Sequence, residues 1–224
     1  MAEESNSANI LPDEESISSR ILHLSEQAST CTACGLASSR TTVVFGDGNP
    51  ETPLVFVGEG PGQNEDATGL PFVGRSGVLL DECMRENSIT RKHVYICNVI
   101  RCRACTRDSF TGRLANRQPT PDETKACSPW LIQTLDTIRP LIIVCLGAPA
   151  ANAIIHSGFR MRDERGQWFE SRYAPYAIAT YHPAYILRME GAEFQAARQT
   201  LIEDIAAARR QVKEARKAAR TSLF

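Results

Sequence analysis

Apolar residues alternate along the chain between two kinds of pattern. Short, mostly β-branched runs bounded by polar residues are typical of buried strands, and they occupy residues 54–57, 93–100, 141–146 and 177–180. Apolar positions at helical spacing lie between them, at residues 76–86, 122–138 and 148–156. Strands that alternate with helices predict an α/β fold with three αβα layers around a central four-stranded parallel sheet.

The two ends of the chain depart from this alternation. Residues 1–18 are polar, acidic and poor in aromatic side chains, so we expect a flexible tail ahead of a single domain at residues 19–224. Residues 192–220 predict a long helix with apolar positions at Phe194, Ala197, Leu201, Ile205 and Ala208. Its basic second half favours a solvated face over a DNA-binding one.

Composition narrows the class of protein. The chain has 224 residues, of which 42% are hydrophobic and 23% charged; it has no apolar run long enough to span a membrane and no secretion signal at its start. We therefore expect a soluble cytoplasmic protein. Six of its acids lie in residues 1–30, where Arg20 is the one base, so the net charge of −1 leaves about +4 elsewhere, compatible with a phosphate-bearing partner. Eight cysteines in a reducing compartment favour metal binding over disulfides.

Polar side chains follow three of the predicted strands. Glu59 and Glu65 lie in the glycine-rich loop after the first strand and could activate water. Asn98 could read one edge of a pyrimidine, and His182 could donate to a carbonyl that gains negative charge. Each feature also fits a purely structural role. The glycine-rich loop is then an ordinary turn, Asn98 a hydrogen-bond partner of backbone groups at the strand end, and His182 a structural histidine. Because the carboxyl ends of parallel strands share one edge of a sheet, we expect the three loops to form one crevice.

Four segments carry a resemblance to a known family. Residues 58–66 read Gly-Glu-Gly-Pro-Gly-Gln-Asn-Glu-Asp and residues 69–77 read Gly-Leu-Pro-Phe-Val-Gly-Arg-Ser-Gly. Together they resemble the first motif of the family 4 uracil-DNA glycosylases, and residues 182–188 resemble the second. Residues 98–102 and 126–130 are similar to the family's intervening segments. All elements stand in family order from about residue 31 to 188.

The resemblance implies a uracil-DNA glycosylase-like fold and a repair enzyme that flips uracil out of DNA and hydrolyses its glycosidic bond. Phe72 would stack on the base, Asn98 would bind its Watson–Crick edge, and Gly60 would supply backbone contacts. His182 would stabilise the uracil anion. Glu59 and Glu65 are both candidates for ordering the water. The wedge that fills the vacated stack would comprise Tyr185, Ile186, Leu187 and Arg188.

The resemblance also implies a [4Fe–4S] cluster held by Cys31, Cys34, Cys102 and Cys127. Spacing by itself leaves zinc equally possible, and Cys105 is an alternative to Cys102. The cluster would pin the N-terminal segment and the loop after Asn98. Cys83, Cys97 and Cys145 fall within predicted helix or strand and are interpreted as buried hydrophobic residues.

The chain departs from the family pattern at two places. An insert at residues 103–117 is basic, and we expect it to contact DNA through Arg107, Arg113 and Arg117. It contains no histidine, so it lacks the side chain with which a related group bonds covalently to the abasic sugar. Gln63 stands where many members have an acid. Substrate range therefore stays open: the alternatives are a hypoxanthine or xanthine glycosylase, a non-catalytic binder of uracil or abasic DNA, or an unrelated zinc-stabilised module. We expect a monomer that acts on DNA in the cytoplasm, at the nucleoid in a bacterium.

Overall fold

A computed structural model of the protein describes residues 15–221. Its strands, in chain order, are β1 (Asp47–Gly48), β2 (Leu54–Gly58), β3 (Tyr95–Asn98), β4 (Cys105–Arg107), β5 (Leu114–Asn116), β6 (Ile142–Leu146), β7 (Trp168–Ser171) and β8 (Ala174–Thr180). Its α-helices are α1 (Ile17–Ser29), α2 (Gln63–Thr68), α3 (Arg75–Glu86), α4 (Pro121–Ile138), α5 (Ala148–Ile154), α6 (Met161–Glu164), α7 (Pro183–Ile186) and α8 (Gly191–Thr221). Short 3₁₀ helices occupy Gly35–Ser38 and Arg91–His93.

Six strands form the main sheet in the order β1-β3-β2-β6-β8-β7. The four inner strands β3, β2, β6 and β8 run parallel, which confirms the expected central sheet. The edge strands β1 and β7 pair antiparallel and were not predicted. Strand β1 has two residues, Asp47 and Gly48, with no apolar pattern, so only its pairing with β3 defines it.

Successive side chains of the inner strands enter opposite sides of the sheet. Val55 and Val57 pack on the side of α1, α4 and α5, whereas Leu54 and Phe56 pack on the side of α3, α7 and α8. All four are at most 4% exposed. This period of two, with both faces covered, is the reason that these strands are continuous apolar runs in the sequence.

Helix α8 covers one face of the sheet and packs against it with its predicted apolar stripe. Ala197, Leu201, Ile205 and Ala208 are buried against the sheet side that carries Phe56. Their spacing of three or four residues places them on one side of a helix. No helix within residues 15–221 is long and apolar enough to cross a membrane.

Predicted boundaries shift by up to three residues, and the strand expected at 93–100 shifts at both ends, since it stops at Asn98. The expected strand at 93–100 begins at Tyr95, because His93 ends a 3₁₀ turn in which its Nδ1 accepts from the Thr90 amide at 3.0 Å. Residues 17 and 18, which the sequence assigned to the tail, are helical, and Ser16 caps α1. Residues 1–14 lie outside the described part of the chain.

Candidate active site

The loops after β2, β3 and β8 meet at the carboxyl edge of the sheet, as the sequence predicted. They enclose a cavity of about 190 Å³. At ~30 Å³ per water this is room for about six waters, the size class of a single nucleobase. The predicted residues that line it are Glu59, Gly60, Glu65, Phe72, Asn98 and His182.

Asn98, the last residue of β3, presents a polar group to this cavity. Its side chain is 2% exposed, and its Oδ1 is buried without a hydrogen-bond partner in the described structure. A buried carbonyl left unpaired costs about 1–3 kcal/mol. On the neighbouring strand, a Cβ at Gly58 would lie 2.5 Å from Oδ1 and 2.6 Å from Cζ of Phe72. Glycine at 58 therefore leaves the space in which the amide and the ring reach the cavity.

Phe72 forms one wall of the cavity in an unusual backbone conformation. Its φ is +54°, in the left-handed region that non-glycine residues rarely adopt. Arg91 donates to the carbonyls of Pro71 and Phe72 and so holds the segment. A Cβ at Gly77 would lie 1.7 Å from the Phe72 carbonyl oxygen, so the first turn of α3 can approach only because residue 77 is glycine.

Glu65 is occupied by the backbone of the loops. Its Oε1 accepts from the amides of Val73 (2.9 Å) and Gly74 (2.8 Å), and its Oε2 accepts from the amide of Gly62 (3.1 Å). The side chain thus joins the start of α2 to the segment that carries Phe72. With three amide donors already bound, its carboxylate has little capacity left to orient a water.

The carboxylate of Glu59 has different surroundings from that of Glu65. Within the described structure no group donates to its carboxylate, and burial raises the pKa of Glu59 above its ordinary value of 4.5. Glu59 lines both the base-sized cavity and a wider groove that opens beside it. It is therefore the carboxylate that stands free at the mouth of the cavity.

His182 precedes α7 and faces Phe72, with 5.7 Å between the ring centroids. Its Nδ1 accepts from the amide of Ala184 at 3.0 Å, which leaves the proton of the neutral ring on Nε2. Burial, reinforced by the positive charge of Arg188, lowers the pKa of His182 to about 4. At neutral pH the ring is uncharged and offers one N–H donor.

The wider groove has a volume of about 860 Å³ and shares Glu59, His182 and Ala184 with the cavity. Its walls carry cationic and aromatic side chains suited to a nucleic-acid backbone, namely Arg117, Arg162, Arg188, Tyr181 and Tyr185. Arg162 was not predicted from the sequence, because it lies in the short helix α6 and carries no motif. Only the approach of α6 to the end of β8 brings it here.

The expected wedge at residues 185–188 needs correction. Ile186 is fully buried in the core beneath α7, so it cannot enter a DNA stack without local unfolding. Leu187 also packs partly against that core. Tyr185 is 44% exposed and Arg188 is also exposed, so of the four wedge residues these two can contact DNA from the surface. A four-residue helix can present only part of its surface outward.

The insert forms an antiparallel hairpin of β4 and β5. Arg107 and Arg113 are exposed on it, and Arg117 forms an ion pair with Glu123 at 2.6 Å while still lining the cavity. Asn116, which carries no motif in the sequence, also lines the cavity. The hairpin base is thus a wall of the cavity, which no local pattern indicated.

Four thiols, those of Cys31, Cys34, Cys102 and Cys127, line a separate cavity, whereas Cys105 does not. Burial raises the pKa of Cys102 to about 11 and also raises the pKa of Cys127. In the part of the chain that the structure describes, no three His, Cys, Asp or Glu residues form a site for one metal ion. Cys83, Cys97 and Cys145 are fully buried, which confirms their predicted place in the core.

Three of the four thiols that line this separate cavity accept hydrogen bonds from N–H groups. The amide of Arg101 donates to Cys127 Sγ at 3.2 Å, Trp130 Nε1 donates to Cys31 Sγ at 3.4 Å, and Arg40 donates to Cys102 Sγ at 3.7 Å. Donors of this kind stabilise sulfur that carries negative charge, and hydrogen bonds to the sulfurs are a recurrent feature of thiolate-held centres.

Comparison with known proteins agrees with this geometry. The sequence model of the uracil DNA glycosylase superfamily matches residues 45–206. A type-4 uracil-DNA glycosylase of Thermotoga maritima is 42% identical over 195 residues, which cover 85% of this chain and 94% of that protein. One from Archaeoglobus fulgidus is 39% identical over 165 residues, covering 70% and 78%. The chain therefore belongs to the uracil-DNA glycosylase superfamily and, within it, to the type-4 uracil-DNA glycosylases.

A solved structure supports the fold independently. The crystal structure of Pedobacter heparinus SMUG2 superposes with a TM-score of 0.51 and covers 75% of this chain and 77% of that one. At 15% sequence identity the likeness concerns the fold alone. The expected uracil-DNA glycosylase-like αβα architecture is confirmed.

The difference between the two glutamates yields a prediction. Glu65→Gln replaces one acceptor oxygen with an NH₂ group and loses at least one charge-assisted bond, so the unfolding free energy should fall by about 1.5–3 kcal/mol. Glu59→Gln, with no bonded partner to lose, should leave stability within ~0.5 kcal/mol of wild type. Chemical denaturation of both variants measures this difference. Equal stability of the two variants would contradict the bracing role of Glu65.

Proposed function

We propose that this protein flips uracil out of DNA and hydrolyses its N-glycosidic bond, as a uracil-DNA glycosylase of base excision repair. One observation carries the proposal: Asn98 and Phe72 line the same cavity of nucleobase size, and the buried Oδ1 of Asn98 has no hydrogen-bond partner in the described structure. An asparagine amide offers an acceptor and two donors, which match the N3–H and O4 of uracil. The family membership of the chain supports the same activity.

The side chains divide the reaction between them. Phe72 and Asn98 bind the flipped base, and the Nε2–H of His182 donates to the uracil O2 as the glycosidic bond breaks and its electron pair leaves with the base. Glu59 orients a water toward the sugar C1′ from the groove side and accepts a proton as the new C–O bond forms. Glu65 holds the loop that carries Phe72. This assigns the two glutamates different tasks.

The groove and the hairpin supply the DNA contacts in this proposal. Arg188, Arg162 and Arg117 contact phosphates on either side of the flipped nucleotide, and Arg107 and Arg113 extend the basic surface. Tyr185 fills part of the vacated stack. We propose that the protein acts as a monomer on chromosomal DNA in the cytoplasm.

The residues around the four thiols fit an iron–sulfur cluster, and we propose a [4Fe–4S] centre there. Arg101 is 1% exposed and, among the ion pairs of the described residues, has none. Its guanidinium donates to the Asn98 carbonyl at 2.8 Å and to Thr134 Oγ1 at 2.9 Å. A buried unpaired cation is costly, and a centre held by four thiolates supplies the missing negative charge. Cys31, Cys34, Cys102 and Cys127 would hold the cluster, which would join the segment after α1 and the loop after β3 to helix α4.

Base excision is tested with an oligonucleotide that holds one uracil. The wild type should release uracil, and His182→Ala should slow release by at least ~10²-fold while leaving DNA affinity nearly unchanged, because the lost bond forms mainly in the transition state. Asn98→Ala should lose both uracil affinity and rate, whereas Asn64→Ala, an exposed asparagine outside the cavity, should match wild type. Oligonucleotides that hold hypoxanthine or xanthine in place of uracil are tested as controls for the alternative substrates. If the protein binds each oligonucleotide but releases no base from any of them, the proposed enzyme activity is wrong and a non-catalytic lesion-binding protein is favoured.

The pH dependence of the single-turnover rate identifies the group that orders water. If Glu59 acts as a carboxylate, the rate falls as pH decreases through its raised pKa, so the acid limb should lie above pH 4.5. His182 should add no limb near pH 6.5, because its pKa of about 4 keeps it neutral there. Glu59→Gln should be slower and lack the acid limb. An unchanged limb in that variant would assign the ionisation to another group.

The metal centre has its own test. Protein purified without oxygen should be brown and contain about four irons per chain. Cys127→Ser should lose iron and thermal stability, whereas Cys105→Ser should retain both, because Cys105 lies outside the thiol-lined cavity. Colourless wild-type protein with one zinc per chain would show that the four thiols hold zinc instead.

A further inference from the structure

The hairpin of β4 and β5 ends in an aromatic residue that the proposed reaction does not use. Phe110 is 99% exposed, whereas the other large hydrophobic side chains exposed in the described structure reach at most 61%. A phenylalanine held in water forgoes roughly 1.5–3 kcal/mol of burial. A ring so fully exposed at the tip of a hairpin is a candidate for contact with a partner.

The turn that carries Phe110 is held by hydrogen bonds among its own residues. Asp108 Oδ1 accepts from the Phe110 amide (3.0 Å), the Thr111 amide (2.6 Å) and Thr111 Oγ1 (2.9 Å). Arg107 donates to the Gly112 carbonyl at 2.9 Å. The one acid of the tip is therefore engaged inside the turn, and the turn holds the ring away from the hairpin.

The base of the hairpin is anchored to the base-sized cavity. Asn116 and Arg117 line that cavity, and Arg103, which is 5% exposed, donates from Nε to Asn116 Oδ1 at 2.7 Å. Asn116 is six positions after Phe110, so their Cα atoms lie at most ~20 Å apart at the rise of a strand. That distance corresponds to about six base steps of 3.4 Å.

The charge around the ring is positive. Arg107 and Arg113 are exposed on the two arms of the hairpin. Exposed aromatic rings flanked by arginines are the surface on which proteins stack the bases of single strands while contacting the phosphates. Because the tip is continuous with the cavity, the strand that enters the cavity is the partner within its reach.

We propose that Phe110 stacks on an unpaired base of the uracil-containing strand, a few nucleotides from the flipped uracil. The hairpin is thereby a second nucleic-acid contact that favours single-stranded or locally opened DNA. This inference rests on the proposed function, since it takes the strand in the groove to be DNA.

Strand length separates this role from a structural one. Phe110→Ala should weaken binding of a 15-nucleotide uracil-containing single strand by roughly 5- to 150-fold, the range that corresponds to stacking of one base. A uracil trinucleotide is too short to reach the tip, so Phe110→Ala should bind it with the same affinity as wild type. The single-turnover rate at saturating DNA should not change. Phe110→Tyr should restore affinity for the long strand, and Leu22→Ala, which trims an exposed apolar side chain on α1, should have no effect.

A fluorescent base analogue locates the contact. With 2-aminopurine placed at successive positions on either side of uracil, wild type should change its fluorescence at one or two positions within about six nucleotides, and Phe110→Ala should not. Equal affinity of wild type and Phe110→Ala for the long strand would overturn the inference and leave the ring to a protein partner. Equal losses on both lengths would also overturn it. A wild type that releases no uracil refutes instead the proposed function.

Discussion

The carboxylate of Glu65 ties together two loops that would otherwise be independent. One oxygen holds the amide at the start of α2, and the other holds two amides just after Phe72. Together with Arg91 and the absent side chain at Gly77, these bonds keep Phe72 in a backbone conformation it would not adopt alone. The ring therefore already lines the cavity, and in our proposal a flipped base meets a surface that needs no rearrangement.

The thiol-lined cavity and the base-sized cavity are joined through one side chain. Arg101 bonds Cys127 through its backbone amide and the Asn98 carbonyl through its guanidinium. The residue that reads the base in our proposal is thus fixed on one side by the sheet and on the other by the proposed cluster. In this proposal the metal centre would affect the reaction only by fixing the position of a strand end.

Much of the fold could be predicted from local pattern because each inner strand and each long helix carries its own period. Residues 54–57, 141–146 and the stripe of α8 appear in the structure as expected. Strands β1 and β7 were missed because partners distant in the chain define them. Ile186 was assigned to the wedge from its motif, yet its side of α7 is turned into the core, which depends on packing that a motif does not record.

For the site, the sequence by itself determined which residue types stand at the ends of the parallel strands, because parallel topology brings those ends to one edge. It did not separate Glu59 from Glu65, since both lie in the same loop with the same chemistry. Only the tertiary structure decided between them: the backbone amides of residues 62, 73 and 74 converge on Glu65 and leave Glu59 free. The tertiary structure also placed Asn116, Arg162 and Phe110 around the groove and its hairpin. Such contacts join residues far apart in the chain, and no local periodicity encodes them.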